Sequence, residues 1–276
     1  MKVTKAVIPV AGRGVRMLPA SSTVSKCMFP VVDKPVVHYV VEEAIHSGID
    51  EIVLILGSNR EAIQNYFTNP SLEHHQVFKN RCEFRFVVQE KPNGLGSAVR
   101  CAKDAIGSVS FAVLLGDTIL HAKNPAIRQL IQNGQADSAA ILGVELVEDA
   151  IVHRYGIVAG EQVTERLLSV NQLVEKPTLQ EAPSNLAIAA RYLLDHSIFD
   201  ALDGTPFDSN GELQLTHALQ RLLTNEPIDA YRIEGQRFDI GNKRDFIRTN
   251  VALALEDSES KEELRDWMHS ILTKAD

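Results

Sequence analysis

Gly12-Arg13-Gly14-Val15-Arg16 follows a short apolar run, Ala6 to Val10, and offers a place for an anion. Small residues let backbone N–H groups come close to an anion, and Arg16 can add charge-assisted hydrogen bonds to phosphate. A tight structural turn explains the same spacing equally well. The loop is not a dinucleotide fingerprint, because Met17 stands where the third glycine belongs, and it lacks the Gly-Lys-Ser/Thr of a P-loop. Two carboxylates stand out further along. Asp117 closes Leu114-Leu115-Gly116-Asp117 at the end of a buried strand, where open α/β sheets bind ligands, and Asp239 lies in Arg237-Phe238-Asp239-Ile240-Gly241. Turn capping is the plainer role for Asp117, and capping of the following helix for Asp239. Gln89, five residues before Gly94, reads by itself as a strand-end polar residue ahead of a helix start. Glu175-Lys176 alone reads as a solvated pair of opposite charges, and Lys26 alone as a surface lysine.

The elements that must hold these residues follow from hydrophobic spacing. Ala6 to Val10, Glu51 to Leu56 and Phe111 to Leu114 read as buried strands. Phe84, Phe86 and Val88 alternate with other residues, as in a strand exposed on one side. Helices are predicted from Pro35 to a stop at Gly48, over 94–103, over 213–223 and over 243–255, with a last one ending in Leu264 to Leu272 after the polar Glu256-Asp257-Ser258-Glu259-Ser260. Strands alternating with helices imply a parallel sheet with right-handed crossovers. After about residue 137 the pattern changes to closely spaced strand-like runs, read as sheet additions covering a substrate pocket.

Composition narrows the function. With 276 residues, 45% of them hydrophobic, the chain can bury a large core in one main domain with appendages. Lys and Arg number 28 against 36 Asp and Glu, a net charge of −8 that repels nucleic-acid backbones and anionic lipid. Cys27, Cys82 and Cys101 form no CxxC pair, so a disulfide framework and a zinc ribbon are both unsupported and a reducing, cytoplasmic setting is expected. The apolar run before Pro9 is too short for a signal peptide or a membrane span. The nine histidines show no HExxH or paired i, i+4 spacing, and no G-x-S-x-G elbow is present.

The loop continues as Met17-Leu18-Pro19, then Lys26-Cys27-Met28-Phe29-Pro30 and Val32-Asp33-Lys34-Pro35, in fixed order. This order resembles the signature of the sugar-1-phosphate nucleotidyltransferases, and within them most the bacterial branch that uses UTP and glucose-1-phosphate. Gln89 with Gly94-Leu95-Gly96-Ser97, Tyr155-Gly156-Ile157-Val158, Val174-Glu175-Lys176-Pro177 and Gly211-Glu212-Leu213-Gln214-Leu215-Thr216 carry the likeness over residues 5–243. The resemblance implies a Rossmann-like α/β fold with a mixed, mostly parallel sheet, added sugar-pocket strands and C-terminal helices. It implies catalytic roles for Arg16, Lys26, Asp117 and Asp239, with the two aspartates holding one Mg2+ as hard oxygen ligands. It also implies nucleotide contacts at Ala11, Gly12, Gly14, Gln89 and Gly94, the last two reading the imide edge of the pyrimidine, and sugar-phosphate contacts at Gly156, Glu175 and Lys176. Residues 1–243 would form the catalytic domain and residues 244–276 a helical segment, with a homo-oligomer expected. UTP and glucose-1-phosphate would be the partners, and neither nucleic acid nor membrane.

Four positions depart from the family pattern. Val15 replaces a threonine, Ser25 a proline, Cys27 a glutamate, and Gly116 the proline of Leu-Pro-Asp. The stretch between Ile63 and Phe84 also resembles the more compact thymidylyltransferases. These differences bear on base choice and oligomer contacts, while Arg16, Lys26, Asp117, Lys176 and Asp239 are all in place. Two alternatives share these residues: the same transfer from dTTP, and a catalytically silent regulatory paralogue.

Overall fold

Lys5–Pro9 (β1) is followed by two short pieces, Pro30–Val31 (β2) and Lys34–Pro35 (β3), then by Glu51–Leu56 (β4), Glu83–Val88 (β5), Phe111–Leu114 (β6) and Thr118–His121 (β7). The second half contributes Ala140–Leu146 (β8), Gly156–Gln162 (β9), Leu167–Glu175 (β10), Leu186–Leu194 (β11), Ile228–Arg232 (β12) and Gln236–Asp239 (β13). These elements belong to a computed structural model that describes residues 2–58, 60–71, 78, 80–256 and 261–273. Among the described residues nine strands form one mixed sheet in the order β5-β4-β1-β6-β11-β8-β12-β10-β9. The first four run parallel, as strands alternating with helices require. β11 then enters antiparallel to β6 and β8, and β9 and β10 pair antiparallel at the far edge. The runs after residue 137 therefore extend the same sheet.

Both faces of β1, β4 and β6 are covered, which explains why these strands read as unbroken apolar runs, while β5 at the edge keeps the alternation read from its sequence. Val7, Val53, Ile55 and Val113 pack toward helices Leu95–Arg100, Ile198–Asp203 and Leu215–Leu222. Their neighbours Ala6, Ile8, Leu54 and Leu114 pack on the opposite face toward helices Val36–His46 and Ala126–Asn133. The helix predicted from 213 begins at Leu215 instead. Leu213 remains in an extended connection because its N–H donates to the Asn93 carbonyl and its own carbonyl accepts from Gly96, so the backbone is committed to the loop before Leu95. The helix predicted over 94–103 ends at Arg100, and a short one, Lys103–Ile106, follows.

Two ribbons lie outside the main sheet. β13 pairs with β7 so that Asp239 faces Thr118 in register, which places the second carboxylate beside the strand turn that carries the first. The C-terminal helices are Lys243–Ala254 and Lys261–Leu272. Leu253 packs back on Ile119 and Phe238, whereas no residue of Lys261–Leu272 is buried. The compact segment expected between Ile63 and Phe84 includes 72–77 and 79, and the polar break before the last helix includes 257–260; these lie outside the described residues.

Candidate active site

A cleft of about 690 Å³ opens along the ends of the parallel strands, and every site residue predicted above lines it. Ala11, Gly12, Gly14 and Arg16 come from the loop after β1, and Lys26 from the short turn Lys26–Met28. Gln89 and Gly94 follow β5, Asp117 follows β6, and Asp239 ends β13. Gly156 opens β9, while Glu175 ends β10 and Lys176 follows it. Among the described residues six cationic side chains line the cleft against four carboxylates, so a protein of net charge −8 presents a locally positive site. That is the sign a polyphosphate requires.

The plainer reading of Asp239 fails on geometry. Asn242, not Asp239, caps the helix that follows, accepting from the Asp245 N–H at 3.0 Å. Asp239 instead accepts from the Gly241 N–H at 2.7 Å and faces the cleft. Lys26 donates to Asp117 Oδ2 through its ammonium, so this lysine is not a surface charge. Burial is the largest influence on Asp117 and opposes its ionisation, but the Lys26 ammonium together with hydrogen bonds from backbone and Thr118 holds the carboxyl below the usual range. Burial is also the largest influence on Lys26 and works against its charge, but Asp117, with Cys27 and Asp239 beside it, keeps the ammonium above the ordinary lysine value. Asp239 goes the other way: burial and the neighbouring Asp117 charge both raise it.

At the other end, the two oxygens of Glu175 are held separately. Lys176 Nζ lies 3.0 Å from Oε1, and Thr216 Oγ1 donates to Oε2 at 2.7 Å. Glu175 is largely buried, so it is not the solvated half of a surface pair. A Cβ at Gly156 would lie 2.9 Å from Thr216 Oγ1, so only glycine leaves that bond undisturbed. Gln89 and Gly94 also meet: the Gln89 amide nitrogen lies 3.5 Å from the Gly94 carbonyl. Gly94 has a φ of +108°, and a Cβ there would collide with the Leu213 backbone.

The family model described as nucleotidyl transferase matches residues 5–256, most of the chain. The chain belongs to the nucleotidyl transferase family. It is 40% identical over 285 residues to UTP–glucose-1-phosphate uridylyltransferase 1 of Staphylococcus saprophyticus, covering 98% of this chain and 99% of that one. A crystal structure of a UDP-glucose pyrophosphorylase complexed with UDP-glucose superposes with a TM-score of 0.87 at 33% identity, covering 93% of this chain and 100% of that one. A UTP-bound UGPase from Acinetobacter baumannii superposes at 0.86 with 35% identity, covering 97% and 99%.

In this nucleotidyl transferase, sequence reasoning passed over three side chains of the cleft. Arg237 pairs with Glu145 and lies 4.3 Å from the Tyr155 ring centroid. Arg154 reaches Asp245 at 3.3 Å and Asp239 at 3.7 Å. Thr216 orients Glu175 as described. Period-two alternation on β13 puts Arg237 on the face of Asp239, a signal sufficient to find it. Arg154 and Thr216 depend on elements far apart in sequence, and no local pattern marks them.

Proposed function

We propose that this chain transfers UMP from UTP to glucose-1-phosphate, giving UDP-glucose and pyrophosphate. The reading is carried by one observation. The glycine loop, Lys26, the two aspartates and the Glu175-Lys176 pair converge on a single cleft, in a chain whose near full-length relatives bear the name UTP–glucose-1-phosphate uridylyltransferase. A phosphate oxygen of glucose-1-phosphate attacks the α-phosphorus of UTP, the bond from that phosphorus to the bridging oxygen breaks, and pyrophosphate departs in line. The attacking oxygen is already anionic, so no side chain needs to act as a base. The chain's work is to position reactants and neutralise charge.

Arg16 and Lys26 are assigned to the triphosphate and the departing pyrophosphate, and Lys176 to the phosphate of the sugar. Gln89 and the Gly94 backbone are assigned to the uracil edge, beside Ala11, Gly12 and Gly14. Asp117 and Asp239 fit a Mg2+: both are hard oxygen donors, and they lie close enough for one charge to disfavour the other. When bound there, Mg2+ would neutralise charge on the reacting phosphates.

Pyrophosphate release measured across UTP, dTTP, CTP, ATP and GTP with glucose-1-phosphate tests the assignment. UTP is expected to be preferred, with dTTP the best substitute. Comparable kcat/KM for ATP or CTP removes the base-reading role of Gln89, and a preference for dTTP makes the chain a thymidylyltransferase with the same chemistry. Glu175→Ala is expected to weaken glucose-1-phosphate use far more than UTP binding. Each hydrogen bond from a sugar hydroxyl to the charged acceptor is worth roughly 1.5–3 kcal/mol. Equal losses for both substrates in initial-rate kinetics would move the sugar pocket elsewhere.

Residues 1–243 are assigned to catalysis and 244–276 to a homo-oligomer contact. Trp267, 58% exposed, lies with Ile271 and Leu272 on a helix in which no residue is fully buried. Trp267→Glu with Ile271→Glu is expected to shift sedimentation toward smaller species, and an unchanged profile would count against this assignment. Among the described residues no helix is long and apolar enough to cross a membrane. The free thiols of Cys27, Cys82 and Cys101 fit a reducing, cytoplasmic setting.

A further inference from the structure

Arg191, in β11, is fully buried, at 0% exposure, and it does not line the cleft. A buried ion pair is rarely more stable than apolar residues of the same volume, so stability alone is a weak account of a guanidinium there. Its hydrogen bonds give a better one. Nε lies 2.9 and 3.0 Å from the two carboxylate oxygens of Glu43, and Nη2 lies 2.6 Å from Oε2. Two further bonds go to backbone: Nη2 to the Thr118 carbonyl and Nη1 to the Ala190 carbonyl, both at 2.9 Å.

Those two carbonyls lead to the same turn. Thr118 directly follows Asp117. The Ala190 carbonyl also accepts from the Leu115 N–H at 3.2 Å, so Leu115, two residues before Asp117, is tied to the same guanidinium through one shared acceptor. Ala190 sits where the pairing of β11 with β8 shifts register, with a φ of +61°. The Asp117 turn joins β6 to β7, which belong to different sheets, so no continuous ladder spans it. Glu43, the counter-charge, comes from helix Val36–His46, which packs on the Lys26–Met28 turn.

We infer that Arg191, held by Glu43, is a positioning residue that sets Asp117 against Lys26 and Asp239. The inference rests on the reading of Asp117 as a catalytic carboxylate. A planar fork with a fixed arrangement of donors suits the task, because it fixes the angles among the helix, the irregular strand and the turn at once.

The test uses Arg191→Lys and the double replacement Glu43→Leu with Arg191→Met in the full chain. Melting temperature, kcat, KM for both substrates, half-saturating Mg2+ and amide exchange at Leu115 and Thr118 are measured. The apolar pair is expected to melt near wild type, because no unpaired charge is left inside. In both variants kcat is expected to fall roughly 10- to 100-fold with KM for UTP nearly unchanged, since small misplacement of a reacting group acts on turnover. Half-saturating Mg2+ should rise, and exchange at Leu115 and Thr118 should accelerate. Wild-type kcat, or unchanged exchange, in a folded variant overturns the inference, and Arg191→Lys decides it if the double variant does not fold. Failure of the underlying reading looks different: Asp117→Asn would itself turn over normally, while the effect of Arg191 on exchange would persist.

Discussion

Replacing Asp117 or Asp239 with Asn is expected to lower kcat by roughly two orders of magnitude or more while leaving the fold intact. The two variants should part company in stability. Asn at 239 still accepts from the Gly241 N–H, and it removes a charge that burial and Asp117 disfavour, so its melting temperature should equal or exceed that of wild type. Asn at 117 withdraws the counter-charge from the Lys26 ammonium and leaves that charge in a largely buried position. Its melting temperature should fall. Thermal melts beside initial-rate kinetics separate these outcomes. Full turnover by either variant, or by wild type in excess EDTA, would remove the proposed Mg2+ site. A gain in stability with a loss of activity at Asp239 is the pattern expected where a site keeps unfavourable charge for its chemistry.

Lys26→Met is expected to cost roughly 100- to 1,000-fold in kcat, with a smaller change in KM for UTP, because its ammonium is assigned to charge that grows as pyrophosphate leaves. Lys34→Ala is the matched control. Lys34 lies in the same signature segment, but it does not line the cleft and spends its charge on Glu42 at 3.2 Å, with both side chains about one-third exposed. A partly exposed pair of this kind contributes about 0–1 kcal/mol, so little should change. If Lys34→Ala were the more damaging substitution in single-turnover measurements, the signature lysine would have been assigned to the wrong residue.

The order of glycine loop, Lys26, Gln89, Asp117, Glu175 and Asp239 made the candidate site legible through the family resemblance it carries, whereas each residue alone reads as a turn, a cap or a surface charge. The parallel half of the sheet was legible from hydrophobic spacing: β1, β4 and β6 are buried on both faces and read as continuous apolar runs, and β5 at the edge reads as an alternating strand. The beginning of the helix at Leu215 was not, since Leu213 is held extended by backbone partners at Asn93 and Gly96, more than a hundred residues away. Nor were the bonds that orient the charged groups. Thr216 reaches Glu175 across 41 positions and Arg191 reaches Glu43 across 148. Local spacing determined which elements would present these groups, and the ordered motifs, through the resemblance they carry, determined which groups to read as chemistry. Only the tertiary structure decided that Lys26 neutralises Asp117 but leaves Asp239 disfavoured, because proximity and burial arise when distant segments close on one another.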